Sequence, residues 1–232
     1  MIRHQPEHED MSDADEASML VIVAHPDDEC LGAGGTIRRH VELGVPVSVL
    51  CFTGNDERNA ELNRACKTLG VADVHTSMRG DFDIDWSLSH EIAQTILRTR
   101  PKIIITHSVE DYNRNHMLCA QIVMEAVEWA SHVTMFDDAH RVDRVYNMEI
   151  NSLLSRPSIM VDISDCYDTV MQALKQHKSQ MSKARGFYPN LYDARTSLRG
   201  VQAACDRAEA FGLSPLRHAG PFYPINNVRS LI

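Results

Sequence analysis

The chain has 232 residues, a net charge of −9 and 44% hydrophobic residues, enough apolar material for the core of one large domain. The acidic balance excludes the basic stripe that a nucleic-acid partner requires. No apolar run approaches the roughly eighteen residues of a membrane span, and the start lacks the charged-then-apolar plan of a signal peptide, so a cytoplasmic protein with no membrane partner is expected. Six cysteines without C-x-x-C spacing read as reduced, buried small hydrophobes rather than a disulfide or zinc-knuckle framework.

Residues 1–17 hold His4, His8 and clustered carboxylates with almost nothing apolar, so a disordered acidic tail is expected before a single domain over 18–232. Met19 to Ala24 is a continuous apolar run, as in a strand buried on both faces of a parallel sheet, and it stops at His25-Pro26-Asp27-Asp28-Glu29. Gly32, Gly34 and Gly35 then bring the backbone close to a neighbour ahead of a helix reaching about Leu43. As a dinucleotide signal this is weak, because the preceding carboxylates would repel a pyrophosphate.

Val47 to Phe52 reads as the second strand and Glu57 to Leu69 as a helix closed by Gly70. Arg58 lies in that helix's first turn, where a cation gains nothing from the dipole; it is a candidate for the strand-end site or an ordinary surface arginine. Asp73 to Met78 is a third strand, Trp86 to Arg98 a helix, and Lys102 to His107 a fourth strand followed by a polar segment to His116 and an apolar helix through Val127. Residues 130–142 read as a loop bordering the substrate pocket. Strands follow at Val145 to Ile150 and, as the last of the sheet, Ser158 to Ile163. One helix from Ser164 to Met181 carries His177 and Gln180 on a shared face, and a final helix runs from Leu191 to Ala208, with Glu209-Ala210-Phe211 closing the compact part. The proline-rich last twenty residues are apolar enough to serve a subunit interface, hence a homo-oligomer. The pattern implies a single α/β domain: a Rossmann-like, mostly parallel sheet flanked by helices, with its chemistry at the C-terminal edge of the strands.

Three adjacent carboxylates beside His25 repel one another unless something positive sits among them, and a divalent cation is the simplest candidate. The bland alternative is an acidic loop capping a helix. Neutral imidazole and carboxylate suit zinc, so His25 and one of Asp27 or Asp28 supply two ligands while the other carboxylate stays free to take a proton from water. A third ligand must come from a distance. His116, at a helix start beside another strand end, can deliver it; His107 is the competitor, read as structural.

Ala24-His25-Pro26-Asp27-Asp28-Glu29 resembles the signature of the LmbE-like (PIG-L) family of zinc-dependent N-deacetylases. Leu31 to Thr36, Thr53-Gly54 with Arg58-Asn59-Ala60-Glu61-Leu62, His177-Lys178-Ser179-Gln180 and Ala208-Glu209-Ala210-Phe211 resemble its other motifs, over about residues 19–212. The resemblance implies removal of an N-acyl group, most often the acetyl of an N-acetylglucosamine unit, from a small amino sugar or glycoside. It implies Zn2+ on His25, Asp28 and His116, with Asp27 as the base; Glu29 is read as standing behind the ligands and Arg58 as reaching towards substrate. The chain departs from the family at Asn113, where a histidine is usual, and at Val170, often a lysine. Asn113 can donate a hydrogen bond to the oxyanion but cannot carry a proton. The rival readings are a metal-dependent phosphoesterase and a non-catalytic nucleotide- or sugar-binding module.

Overall fold

The computed structural model describes residues 18–181, 183 and 186–216. The tail expected over residues 1–17, and nearly all of the segment behind the subunit-interface expectation, lie outside them.

Among the described residues the helices and strands follow in order: β1 (Met19–Val23), α1 (Asp28–Glu42), β2 (Val47–Thr53), α2 (Asp56–Leu69), β3 (Asp73–Arg79), α3 (Trp86–Thr99), β4 (Ile103–Thr106), α4 (Arg114–Ala130), β5 (Arg144–Met148), β6 (Ile159–Asp162), α5 (Tyr167–Leu174), α6 (Lys178–Met181), α7 (Phe187–Ala203) and β7 (Ala208–Leu213). The seven strands form one sheet in the order β3-β2-β1-β4-β5-β7-β6. β1 to β5 pair in parallel and β7 runs antiparallel between β5 and β6.

All five side chains of β1 are buried, and the pleat divides them between two layers. Met19, Val21 and Val23 pack under α1, α2, α5 and α7, while Leu20 and Ile22 pack under α3 and α4. This double burial explains why the strand reads as an unbroken apolar run. β1 is flanked by β2 on one side and β4 on the other, so the direction of winding reverses beside it. In such sheets the crevice beyond the strand ends at the reversal is the natural binding place, and here His25 and His107 each leave a strand at that point. No helix among the described residues is long and apolar enough to cross a membrane.

Five expectations need correction. The glycines do not precede α1 but lie within it: Gly32, Gly34 and Gly35 pack on Met148, Val170 and Ile163 with no room for a Cβ. Ile159–Asp162 is not the last strand, because Ala208–Leu213 adds β7 between it and β5. Glu209 hid that strand from a hydropathy reading. Its carboxylate is buried, accepting from the Gly35 and Thr36 backbone N–H groups at 2.8 Å each and from Tyr192 at 2.9 Å. The final helix accordingly begins earlier, at Phe187, and ends at Ala203, with Ala204 left-handed behind it.

The helix expected over Ser164 to Met181 is broken. A short 3-10 turn and α5 end at Leu174, and α6 restarts at Lys178. Glu61 causes the restart: it accepts from the Ser179 backbone N–H at 2.8 Å and from the Ser179 hydroxyl at 2.6 Å, satisfying donors at a helix start. His177, on the break, turns wholly inward. Lastly, the loop after α4 borders a groove of about 460 Å³ together with α4, Pro215 and Leu216, and this groove shares no residue with the cavity at the strand ends.

Candidate metal and catalytic site

A cavity of about 280 Å³ opens at the β1/β4 reversal, lined by His25, Asp27, Asp28, Arg58, Asn113 and His116 together with Tyr112, Ile150, Asn151, Gln180, Phe187 and Tyr188. All six residues singled out in the sequence reach it, from β1, the start of α2 and the start of α4.

Three of them converge on one point. His25 Nδ1 lies 3.1 Å from Asp28 Oδ2, and His116 Nε2 lies 3.2 Å from His25 Nδ1 and 3.4 Å from Asp28 Oδ1. Each spacing is near the edge, about 3.3 Å, of a tetrahedron whose centre is about 2.0 Å from each corner, the usual length of a zinc bond to nitrogen or carboxylate oxygen, with the two histidines meeting different oxygens of Asp28. The donor set therefore fits a divalent cation. The electrostatics agree. Burial pulls the His116 imidazole down, but Asp28 and Asp111 overrule it and lift it to about 10, so these surroundings call for positive charge. Burial alone would raise Asp28, yet His116, His107 and His25 around it hold the carboxyl well below its ordinary range.

His107 Nε2 is not free for the cluster, because its lone pair already accepts from the Ala24 backbone N–H at 2.9 Å. Burial, with His116 beside it, pushes its pKa down to about 4, so it stays neutral and stacks on His116 with ring centroids 4.0 Å apart.

Asp111 was not singled out in the sequence, although it stands five residues before His116. It is buried and meets His116 Nδ1 at 3.0 Å, while accepting from the backbone N–H of Asn113 at 2.9 Å and of Asn151 at 3.1 Å. Burial opposes ionisation, but the His116 hydrogen bond and these backbone donors hold the carboxyl at about 2. A carboxylate behind a ligating imidazole fixes its tautomer and orientation. Asp111→Asn is expected to weaken metal affinity by about 10- to 100-fold, measured by competition with a chelator. Asn115 flanks His25 on its outer side, its amide nitrogen 3.2 Å from Nε2.

Asp27 sits beside the cluster in a different electrostatic state. Burial, then the charge of Asp28, raise its pKa well above the ordinary value, against the opposing pull of Arg58 and His177. A carboxylate raised in this way is suited to accept a proton and return it. Arg58 Nη2 donates to Pro26 O at 2.6 Å and lies 3.4 Å from Asp27 Oδ1. Asn113 caps α4, its Oδ1 accepting from the Asn115 backbone N–H at 2.9 Å, which leaves the amide nitrogen as its donor end.

A second convergence, of Glu29, Cys30 and His177, lies behind the first and is wholly buried. It is an ion pair with a thiol beside it: His177 Nε2 is 2.7 Å from Glu29 Oε1, while Cys30 Sγ is 4.0 Å from the histidine and its thiol is pushed well up, first by burial and then by Glu29.

Comparison with known proteins agrees with this arrangement. Residues 20–127 match the family described as PIG-L: GlcNAc-PI de-N-acetylase. The chain is 30% identical over 189 residues to the probable N-acetyl-alpha-D-glucosaminyl L-malate deacetylase 2 of Bacillus cereus, covering 71% of this chain and 84% of that protein. It is 25% identical over 193 residues to the diacetylchitobiose deacetylase of Thermococcus kodakarensis, covering 72% and 71%. Among solved structures, the hydratase GalB of Pseudomonas putida superposes with a TM-score of 0.79 at 23% identity, covering 89% of this chain and 100% of that one, a likeness of fold alone. With the strand-end histidines and carboxylates in place and a deacetylase relative matched over most of its length, the chain belongs to the PIG-L (LmbE-like) family.

Proposed function

We propose that the chain is a metal-dependent amide hydrolase that removes the N-acetyl group of a small amino sugar or glycoside. The observation that carries this reading is one cavity holding both a three-donor cluster and, next to it, the buried carboxyl group of Asp27, raised well above its ordinary pKa. The Bacillus and Thermococcus relatives, both deacetylases by name, support an amide rather than an ester or a double bond as the bond acted on.

A zinc ion held by His25, Asp28 and His116 would polarise the acyl oxygen and lower the pKa of water towards about 7. Asp27 takes the proton of the attacking water as the new C–O bond forms, then gives it to the nitrogen as the C–N bond breaks, leaving acetate and a free amine. Asn113 donates its amide N–H to the oxygen that gains negative charge. Since Asn113 cannot carry a proton, both transfers fall to Asp27. Tyr112, Phe187 and Tyr188 border the cavity and offer apolar faces to a sugar ring.

A two-metal phosphoesterase is less well supported, because the other donor group among the described residues is buried and ion-paired rather than open to the cavity. The discriminating experiment is a panel of N-acetylated sugars and phosphate esters incubated with zinc-loaded protein: free amine without free phosphate is expected.

Arg58 has donors beyond the one on Pro26 O and lines the cavity, which suits contact with substrate hydroxyl or anionic groups. Arg58→Ala is expected to raise KM by about tenfold and lower kcat by less, the worth of one charge-assisted hydrogen bond. An unchanged KM would leave Arg58 with a structural role only.

A further inference from the structure

The peptide unit joining Pro26 to Asp27 is gripped at both ends. Its carbonyl oxygen accepts from Arg58 Nη2 at 2.6 Å, and its N–H donates to Glu29 Oε2 at 3.0 Å. The other oxygen of Glu29 meets His177 Nε2 at 2.7 Å, and both side chains are fully buried. The grip has something to hold: Asp27 has φ 122°, a region where any residue with a Cβ is strained.

The other helix starts show what this residue would otherwise do. Asn55 and Asp85 precede α2 and α3 with φ −143° and −141°, and their side chains accept from the backbone N–H of Arg58 and Leu88. These are ordinary N-caps. Asp27 precedes α1 in the same position with a side chain equally fit to cap, yet it makes no capping bond and faces the cavity instead. Strain of this kind persists only where the surroundings over-determine it.

We infer that His177, acting through Glu29, is a positioning residue of the hydrolytic site: the buried pair holds the Pro26–Asp27 peptide in its strained conformation and so keeps the Asp27 carboxylate on the reacting water rather than on the N-terminus of α1. The kinetic consequence rests on the base role proposed above for Asp27; the conformational claim does not.

The conformational claim is tested without substrate. With Glu29 and His177 present, Asp27→Gly is expected to melt about 2–4 °C above Asp27→Ala, because glycine tolerates this φ and alanine does not. In a His177→Gln or Glu29→Met background the peptide is free to relax, and the glycine variant is expected to lose its advantage or fall below alanine. A glycine advantage that persists undiminished in both backgrounds overturns the inference. The kinetic arm uses Glu29→Met, which removes the acceptor of the Asp27 N–H, and Glu29→Gln, which keeps one. Glu29→Met is expected to lower kcat by about 10²-fold, with KM within about threefold and the metal retained, and Glu29→Gln to recover most of the loss. Should Glu29→Met not fold, His177→Gln serves in both arms. Equal losses in the methionine and glutamine variants, each tracking its Tm, would mark the pair as structural only and contradict the assignment.

Discussion

Asp27→Asn is expected to keep its metal and lose activity by about 10²- to 10⁴-fold, the usual contribution of a group that shuttles a proton in the transition state. The asparagine has the shape of the aspartate and tolerates the same left-handed backbone, so neither the cavity nor the gripped peptide should change. What it loses is the capacity to take a proton from water and return it to the amine, and no neighbour can substitute: Asp28 is committed to the donor cluster and Asn113 has no proton to exchange. Zinc content by elemental analysis, with kcat and KM on the same preparation, separates this from a ligand role. Loss of metal from Asp27→Asn with retention in Asp28→Asn would exchange the two roles.

His116→Ala is expected to have the larger consequence for the protein itself. It removes one corner of the donor set and leaves Asp111, whose low pKa depends on that imidazole, buried without its partner. Asp111 keeps the backbone N–H donors of Asn113 and Asn151, so loss of the imidazole costs about 1–3 kcal/mol by itself. The stabilisation that a tightly bound metal adds to the native state would also vanish, about 4 kcal/mol at a metal concentration 1,000 times Kd. The measurement is bound metal per chain beside Tm with and without added zinc. In the wild-type protein added zinc should raise Tm, and in His116→Ala it should not. A variant that still binds one metal with an unchanged zinc-induced shift would remove His116 from the site.

The first two-thirds of the fold lies open to a reading of hydropathy and capping. β1, β2 and β4 are buried on both faces and therefore appear as continuous apolar runs, while Asn55, Asp85 and Gly70 punctuate α2 and α3 at their ends. The last third is held by polar contacts between residues far apart in the chain, which leave no periodic trace. β7 carries an inward Glu209 whose partners are the amides of Gly35 and Thr36, so it reads as polar although it lies inside the sheet. The break before α6 depends on Glu61, more than a hundred residues earlier, with |i−j| of 118 to Ser179. The candidate site divides along the same line. His25, Asp27, Asp28 and His116 could be picked out because their residue types follow strand ends. Asp111 and His177 could not be given work from the sequence, because what each does is defined only by the side chain it meets across the fold.

The most direct test of the central claim is hydrolysis of an N-acetylglucosaminide in 18O-labelled water, by protein stripped with a chelator and by the same protein reloaded with one equivalent of zinc. The account predicts equal amounts of free amine and acetate from the reloaded protein, one label in each acetate, and at most a trace from the stripped protein. Undiminished amine release after stripping, or a zinc-loaded and folded protein that releases no amine from any N-acetylated sugar of the panel, would contradict it.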